Sequence, residues 1–353
     1  MISYDVARFG GPLERCERPT PKPTGSQVLL KVLAAGVCHS DIHIRSGEYD
    51  LGGGRKLNMG ERGVTLPLTM GHETVGEVVA LGPDARGVKP GDRSLVFPWI
   101  GCDACPVCAR GDENLCTKPR SLGVFLPGGY ADHIVVPHAR FLLDIGNLAP
   151  EQAAPYACSG VTTYSALRKI EPRVLKDEAI AVLGAGGLGL MCLTILKALG
   201  GRGAIMVDID PAKREAATRA GALAVIDPAA PDAVKQLQAA AGGPLWAAID
   251  YVGAPSTAQL ALDSLVKGGK LIVVGLFGGA VTLPLATLPL RAMTVQGSYV
   301  GSLRELTELM ALVRNSDIAP IPISTRGLDQ AQNALADLEH GRITGRTVLQ
   351  PRF

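Results

Sequence analysis

The sequence predicts an α/β protein whose second half is a doubly wound parallel sheet, and three observations carry that expectation. From about residue 156 onward, short apolar runs alternate with helical segments, the pattern of parallel strands joined by crossover helices. The run Ala179 to Leu183 leads into Gly184, Gly186 and Gly189, a G-x-G-x-x-G spacing at the mouth of a helical stretch. The next apolar run, Gly203 to Val207, ends in an acid, Asp208.

Taken in order, residues 1–35 read as short strands joined by turns, with Gln27-Val-Leu-Leu-Lys-Val-Leu the clearest apolar one. Polar and metal-binding types then crowd into Gly36-Val-Cys-His-Ser-Asp-Ile-His43. Residues 47–63 are glycine-rich and are expected to form an exposed loop, longer than most connections. Leu66 to Glu73 leads into a strand at 76–81, with turns at Gly82-Pro83-Asp84 and Pro90-Gly91-Asp92. Cys102, Cys105, Cys108 and Cys116 make a compact lobe. Strands are expected at 179–183, 203–207, 223–226, 247–252, 270–275 and 293–297, with a helix over about Leu188 to Leu199. After Gly297 an amphipathic helix near Leu303–Val313 and a short strand near Val348 are expected to return to the first domain.

With 353 residues, the chain is long enough for two domains. A hydrophobic content of 47% beside 19% charged residues describes a globular protein rather than a disordered one. A net charge of +2 makes no electrostatic case for nucleic acid or an anionic membrane. Ala179 to Leu196 carries no charge and approaches the length of a membrane span, but four glycines in its first third argue for a nucleotide-binding turn. The first residues show no basic stretch followed by an apolar core, so a cytoplasmic protein is expected.

The glycine turn has a chemical reading. Its first glycine permits the tight turn, the second lets a pyrophosphate approach the backbone, and the third lets helix and strand pack closely. Gly184, Gly186, Gly187, Leu188 and Gly189 thus place a helix amino end, with its free N–H groups and positive dipole, against the phosphates. Asp208 would accept from a ribose diol and repel a 2′-phosphate, which favours NAD over NADP. Lys213 and Arg214 just downstream are the counter-indication.

The four clustered cysteines have the spacing of a closed tetrahedral zinc site, not of a secreted disulfide framework. Cys38, His72 and Cys158 are ligand-type residues in three separate segments, and nothing in their spacing shows that they converge. Singly, Cys158 reads as a buried small hydrophobe and His72 as a core histidine.

Their grouping rests on a resemblance. Gly36–His43, Gly71-His-Glu73, the four-cysteine lobe, Cys158-Ser-Gly-Val-Thr-Thr-Tyr164 and the glycine loop together resemble the zinc-dependent medium-chain alcohol dehydrogenases, over essentially the whole chain, and the archaeal-type tetrameric branch in particular. The resemblance implies a GroES-like, mostly-β catalytic domain over 1–155, completed by 296–353, and a Rossmann NAD-binding domain with six parallel strands over 156–295. It implies two zinc ions per subunit, a catalytic one on Cys38, His72 and Cys158 and a structural one on the four-cysteine lobe. Asp41 would orient His72, and Glu73 would stand behind it as an alternate ligand. Ser40 would hydrogen-bond the alcohol oxygen and His43 would pass the proton outward through the nicotinamide ribose. Lys213 matches an adenosine-ribose contact and Arg346 a pyrophosphate contact. Tyr49, Trp99 and Leu276 would line the substrate pocket, with Ser121 widening it.

The activity implied is NAD-linked interconversion of primary or secondary alcohols with aldehydes or ketones by a homo-oligomer, a tetramer favoured over a dimer, paired along the strand edge near 293–300. Two other readings compete. A zinc-independent NADPH quinone or enone reductase would lack the zinc cysteines and the acid at 208. A nucleic-acid-binding zinc module would need a basic, aromatic surface, whereas the lobe carries Asp103, Asp112 and Glu113.

Overall fold

The structure, a computed structural model, describes residues 1–316 and 318–352. Its second half is built on six parallel strands: Ile180–Leu183, Ala204–Val207, Ala224–Ile226, Ala247–Asp250, Lys270–Val273 and Thr294–Gly297. Each expected strand is present, with ends differing by no more than two residues. In space the order is 224–226, 204–207, 180–183, 247–250, 270–273, 294–297. Every residue of Ile180–Leu183, Ala204–Val207 and Ala247–Asp250 is buried, as parallel strands covered by helices on both faces require. The chain reverses its direction of travel across the sheet between 180–183 and 247–250. In sheets of this kind such a switch point carries the ligand crevice, at the carboxyl ends of the strands. Ala179 to Leu196 is therefore strand, turn and helix (Gly187–Ala198), and no helix among the described residues is long and apolar enough to cross a membrane.

The other large sheet is mainly antiparallel and centres on Val28–Gly36, which pairs with Glu73–Leu81, His133–Val136 and Arg346–Gln350. Arg346–Gln350 lies parallel to Ile323–Gly327, so the end of the chain does return to the first half. The link is the helix Leu303–Asn315. Ser302 starts it, its hydroxyl accepting from Glu305 N at 3.2 Å while the Glu305 carboxylate accepts from Ser302 N at 2.8 Å. Leu306, Leu309, Met310 and Val313 form its buried stripe, and it packs on the helix Ser159–Leu167. Ser159–Leu167 packs in turn on Gly187–Ala198, which joins the metal-ligand segment to the nucleotide turn.

One expectation is corrected. Residues 47–63 are no open loop: Glu48–Gly52 and Arg55–Asn58 form an antiparallel hairpin, with Tyr49 opposite Leu57. Gly52, Gly53 and Gly54 all take positive φ and make its turn. The glycines that suggested a loop are the turn, and the flanking strands carry too few apolar residues to announce themselves.

Candidate metal centre and cofactor cleft

Cys38 and Cys158 each stand immediately before a helix, His39–Ser46 and Ser159–Leu167, and His72 stands immediately before the strand Glu73–Leu81. The fold brings these three buried side chains together, one ligand atom from each lying within 4.8 Å of the others. The two sulfurs are 3.9 Å apart, far beyond a disulfide. Two sulfurs bound to one tetrahedral zinc stand about 3.8 Å apart, given Zn–S bonds of about 2.3 Å. His72 Nε2 is buried with no protein partner, an orphan that a metal would satisfy. The donor set fits zinc, with one coordination position left for a substrate.

Asp41 holds this group in place. Its Oδ1 is 3.1 Å from His72 Nδ1, while Oδ2 accepts from Cys38 N at 2.9 Å and from the Tyr130 hydroxyl at 2.8 Å. Burial opposes a charge on His72, but the Asp41 carboxylate outweighs it and raises the imidazole well above its ordinary value. The Cys158 thiol beside Cys38 holds Cys38 well below the ordinary thiol range, and Cys158 moves the opposite way. Together the pair carries one thiolate readily. Tyr130, 89 residues from Asp41 in sequence, was invisible as part of the site.

Glu73 is wholly buried. Its Oε1 accepts from Arg346 Nη2 at 2.8 Å and from Ser159 N at 3.3 Å, and its Oε2 has no partner. Burial pushes Glu73 up to about 8 against the pull of Arg346.

The second cluster is the four-cysteine lobe. Cys105 and Cys108 sulfurs lie 3.5 Å apart, Cys105 and Cys116 3.9 Å, Cys102 and Cys108 4.0 Å, and no cysteine among the described residues is in a disulfide. The backbone N–H of Cys108 holds Cys105 down to about 6. Cys116 Sγ accepts from Cys102 N and Lys118 N, the outer hydrogen bonds typical of a zinc thiolate. The fit is to a closed structural zinc.

On the cofactor side, a Cβ on Gly189 would lie 2.0 Å from the Gly184 carbonyl oxygen, whereas one on Gly186 would meet nothing within 4 Å. Gly189, the third glycine, is needed for packing, and Gly186, the second, leaves room for something outside the protein. Asp208 accepts from Ala185 N at 2.8 Å and Asp210 N at 2.9 Å, one bond per oxygen, which aims the carboxylate and leaves lone pairs for a diol. Arg214 is occupied by the Asp208 carbonyl at 2.7 Å and by Asp227 at 3.2 Å. Arg346 spans the two halves: its guanidinium carbon lies 3.5 Å from where a Gly187 Cβ would stand, and its Nε is buried without a partner. His39, missed between two residues that were singled out, feels the charges of Arg346 and Lys213. The half-buried Lys213 is thus near enough to His39 to disfavour its charge, after burial and together with Arg346.

The Trp99 ring is 5.2 Å from His72, and its indole donates to Ala157 O at 3.0 Å. Tyr299, also missed, sets its ring 6.3 Å from that of Trp99. Tyr49 stacks on His43 at 4.6 Å. Ser40 is half-buried, and its hydroxyl has no protein partner among the described residues. Leu276 is 46% exposed in the loop after Lys270–Val273. Ser121 is buried in a tight turn, its carbonyl accepting from Phe125 N at 2.9 Å.

A thiolate–imidazole metal centre joined through Arg346 to the phosphate end of a doubly wound sheet is the layout of a metal-assisted dinucleotide oxidoreductase. Two family models match the chain, the alcohol dehydrogenase GroES-like domain over residues 24–146 and the zinc-binding dehydrogenase over residues 187–315. An NAD-dependent alcohol dehydrogenase of Sulfurisphaera tokodaii is 38% identical, with 99% of this chain and all of the relative aligned. The crystal structure of an alcohol dehydrogenase from Aeropyrum pernix superposes with a TM-score of 0.88 at 28% identity, covering 99% of this chain and all of the other. At 31% identity, over 98% of this chain and 96% of the relative, stands a D-arabinose 1-dehydrogenase (NADP+) of Saccharolobus solfataricus. The chain belongs to the zinc-dependent medium-chain alcohol dehydrogenases.

Proposed function

We propose that this chain is an NAD-dependent alcohol dehydrogenase that interconverts simple primary or secondary alcohols with their carbonyl partners. The convergence of Cys38, His72 and Cys158 carries the reading, because a zinc-independent quinone or enone reductase has no use for that donor set. When bound, zinc supplies Lewis acidity toward the substrate oxygen and NAD supplies the hydride acceptor. The chain's own residues do the rest. Cys38, His72 and Cys158 hold the catalytic ion, Asp41 fixes the His72 tautomer, and Glu73 stands behind as an alternate ligand with Arg346 neutralising it. Ser40 takes the substrate hydroxyl's proton at Oγ as it gives up its own, and His43 holds the relayed proton at its ring before release. Gly186, Gly187, Leu188, Arg346 and His39 face the pyrophosphate.

Asp208 and Lys213 take the adenosine ribose, and the Asp208 carboxylate disfavours the 2′-phosphate of NADP. Trp99 and Tyr299, joined by Tyr49 and Leu276, make an apolar wall suited to medium aliphatic, cyclic or aromatic alcohols rather than sugars. We place the cofactor domain at 156–295, extended by two residues to complete the strand Thr294–Gly297. The strand Thr294–Gly297 is the free edge of its sheet, with Val295, Leu285 and Leu290 exposed, which supports edge pairing into a dimer and from there a tetramer. A cytoplasmic location is consistent with eight cysteines of which none is paired in a disulfide.

Metal analysis together with a panel of alcohols offered NAD and NADP tests the reading. About two zincs per chain are expected. Cys38→Ala should abolish alcohol oxidation while NAD binding stays measurable, and retained turnover would contradict the ligand set.

A further inference from the structure

We infer that Tyr49 is a positioning residue for His43: its ring, carried on the 48–58 hairpin, stacks on the imidazole and decides where the relay base stands. This rests on the reading of His43 as the proton relay. Among the described residues His43 is the one aromatic partner of Tyr49, 4.6 Å away with 27° between the planes, while Trp99 faces His72 and Tyr299. The His43 backbone is pinned at the helix end, its carbonyl accepting from Gly47 N and the Ser46 hydroxyl at 2.9 Å each. Its Nε2, however, is buried without a protein partner, so no hydrogen bond at that tip sets the ring. The Glu48 carbonyl holds the other edge of the ring, and face contact with a rigid neighbour fixes its plane.

The hairpin carrying Tyr49 is itself braced. Met59 N donates to Gly47 O at 2.8 Å at its base. At its tip, a Cβ on Gly52 would stand 2.3 Å from Gly279 O, so this turn rests backbone to backbone on the loop after Lys270–Val273. Placement of the ring therefore depends on contact between the two halves of the molecule.

The groups facing His43 are few. His39 lies 5.6 Å away on its own helix, and the Cys38 thiolate and the Glu48 carbonyl favour its charge. Glu48, Asp50 and Lys56 on the hairpin line a cavity of about 490 Å³ that His43 also borders, a route to water. From the helix Ala331–Glu339, Glu339 is taken by Arg45 at 2.8 Å. Burial, to which the Tyr49 ring adds, holds His43 below its ordinary value and so keeps it neutral.

The test is the pH dependence of kcat/KM for NAD-linked oxidation of two probe alcohols of different size, ethanol and benzyl alcohol. Tyr49→Leu is expected to move the acid limb upward in pH by the same amount for both alcohols, lowering kcat/KM on that limb roughly tenfold relative to its plateau, whatever its loss from the pocket wall does to the plateau itself. Tyr49→Phe, which keeps the ring face, restores the limb. Gly52→Ala, which lifts the hairpin tip without touching Tyr49, shifts it in the same direction. In a His43→Gln background Tyr49→Leu adds no pH-dependent loss, as a residue acting through another must. A Tyr49→Leu loss confined to the plateau, scaling with alcohol size and persisting beside His43→Gln while the limb stays put, overturns the inference and leaves the relay intact. A limb unchanged by His43→Gln alone overturns the relay reading, and the inference with it.

Discussion

Asp41 shows how much one side chain can settle. Its carboxylate faces His72 with one oxygen and ties Cys38 and Tyr130 with the other, so it orients two of the three metal ligands at once. Asp41→Asn is expected to weaken zinc at the catalytic site about 10–100-fold, read by competition with a chromogenic chelator. Tyr130→Phe takes one donor from a fully buried carboxylate and should cost about 1–3 kcal/mol in urea unfolding. Asp41 and His72 stand in motifs that announce themselves, but nothing near position 130 does. The phenol is recruited from the bend just before the strand His133–Val136, 89 residues away.

The pH behaviour also belongs to single residues. His43 lies below the ordinary histidine value because it is buried, so the neutral form persists until the pH falls below about 6.5. Alcohol oxidation should therefore be flat near neutrality and decline only on the acid side. His43→Gln should remove that limb, and a decline already under way above pH 7 would contradict the direction.

Two elements repay comparison. In the strand–turn–helix at 180–198 the residues dictate the outcome, because an apolar run, spaced glycines and a following acid all point one way. There Gly189→Ala would drive a methyl into the Gly184 carbonyl and is expected to lower the thermal midpoint. Gly186→Ala has room in the protein and should leave the midpoint nearly unchanged while weakening NAD, as isothermal titration would show. In the hairpin at 48–58 the residues were ambiguous. Three glycines serve a loop and a tight turn equally well, and what selects the hairpin is contact with residues 278–280 more than two hundred positions away.

At the scale of the whole molecule, the exposed strand edge and the four-cysteine lobe lead to measurements. Val295→Glu places charge on the open edge and is expected to reduce the oligomer, followed by light scattering. Cys116→Ser should release about one zinc per chain and lower the thermal midpoint by several degrees. The lobe does not stand alone, since Asn114 Nδ2 donates to Tyr299 O at 3.1 Å and so links it to the proposed pocket wall.

The amino-acid sequence alone determined the parallel sheet, the nucleotide turn and the four-cysteine lobe, because each is written in residues close together along the chain, where spacing dictates geometry. Only the tertiary structure decided that Cys38, His72 and Cys158 share one space, that Arg346 meets Glu73 beneath the glycine turn, and that Tyr49 lies on His43. Those contacts join residues whose separations carry no periodic signal, and they exist because two sheets and a hairpin close on one another.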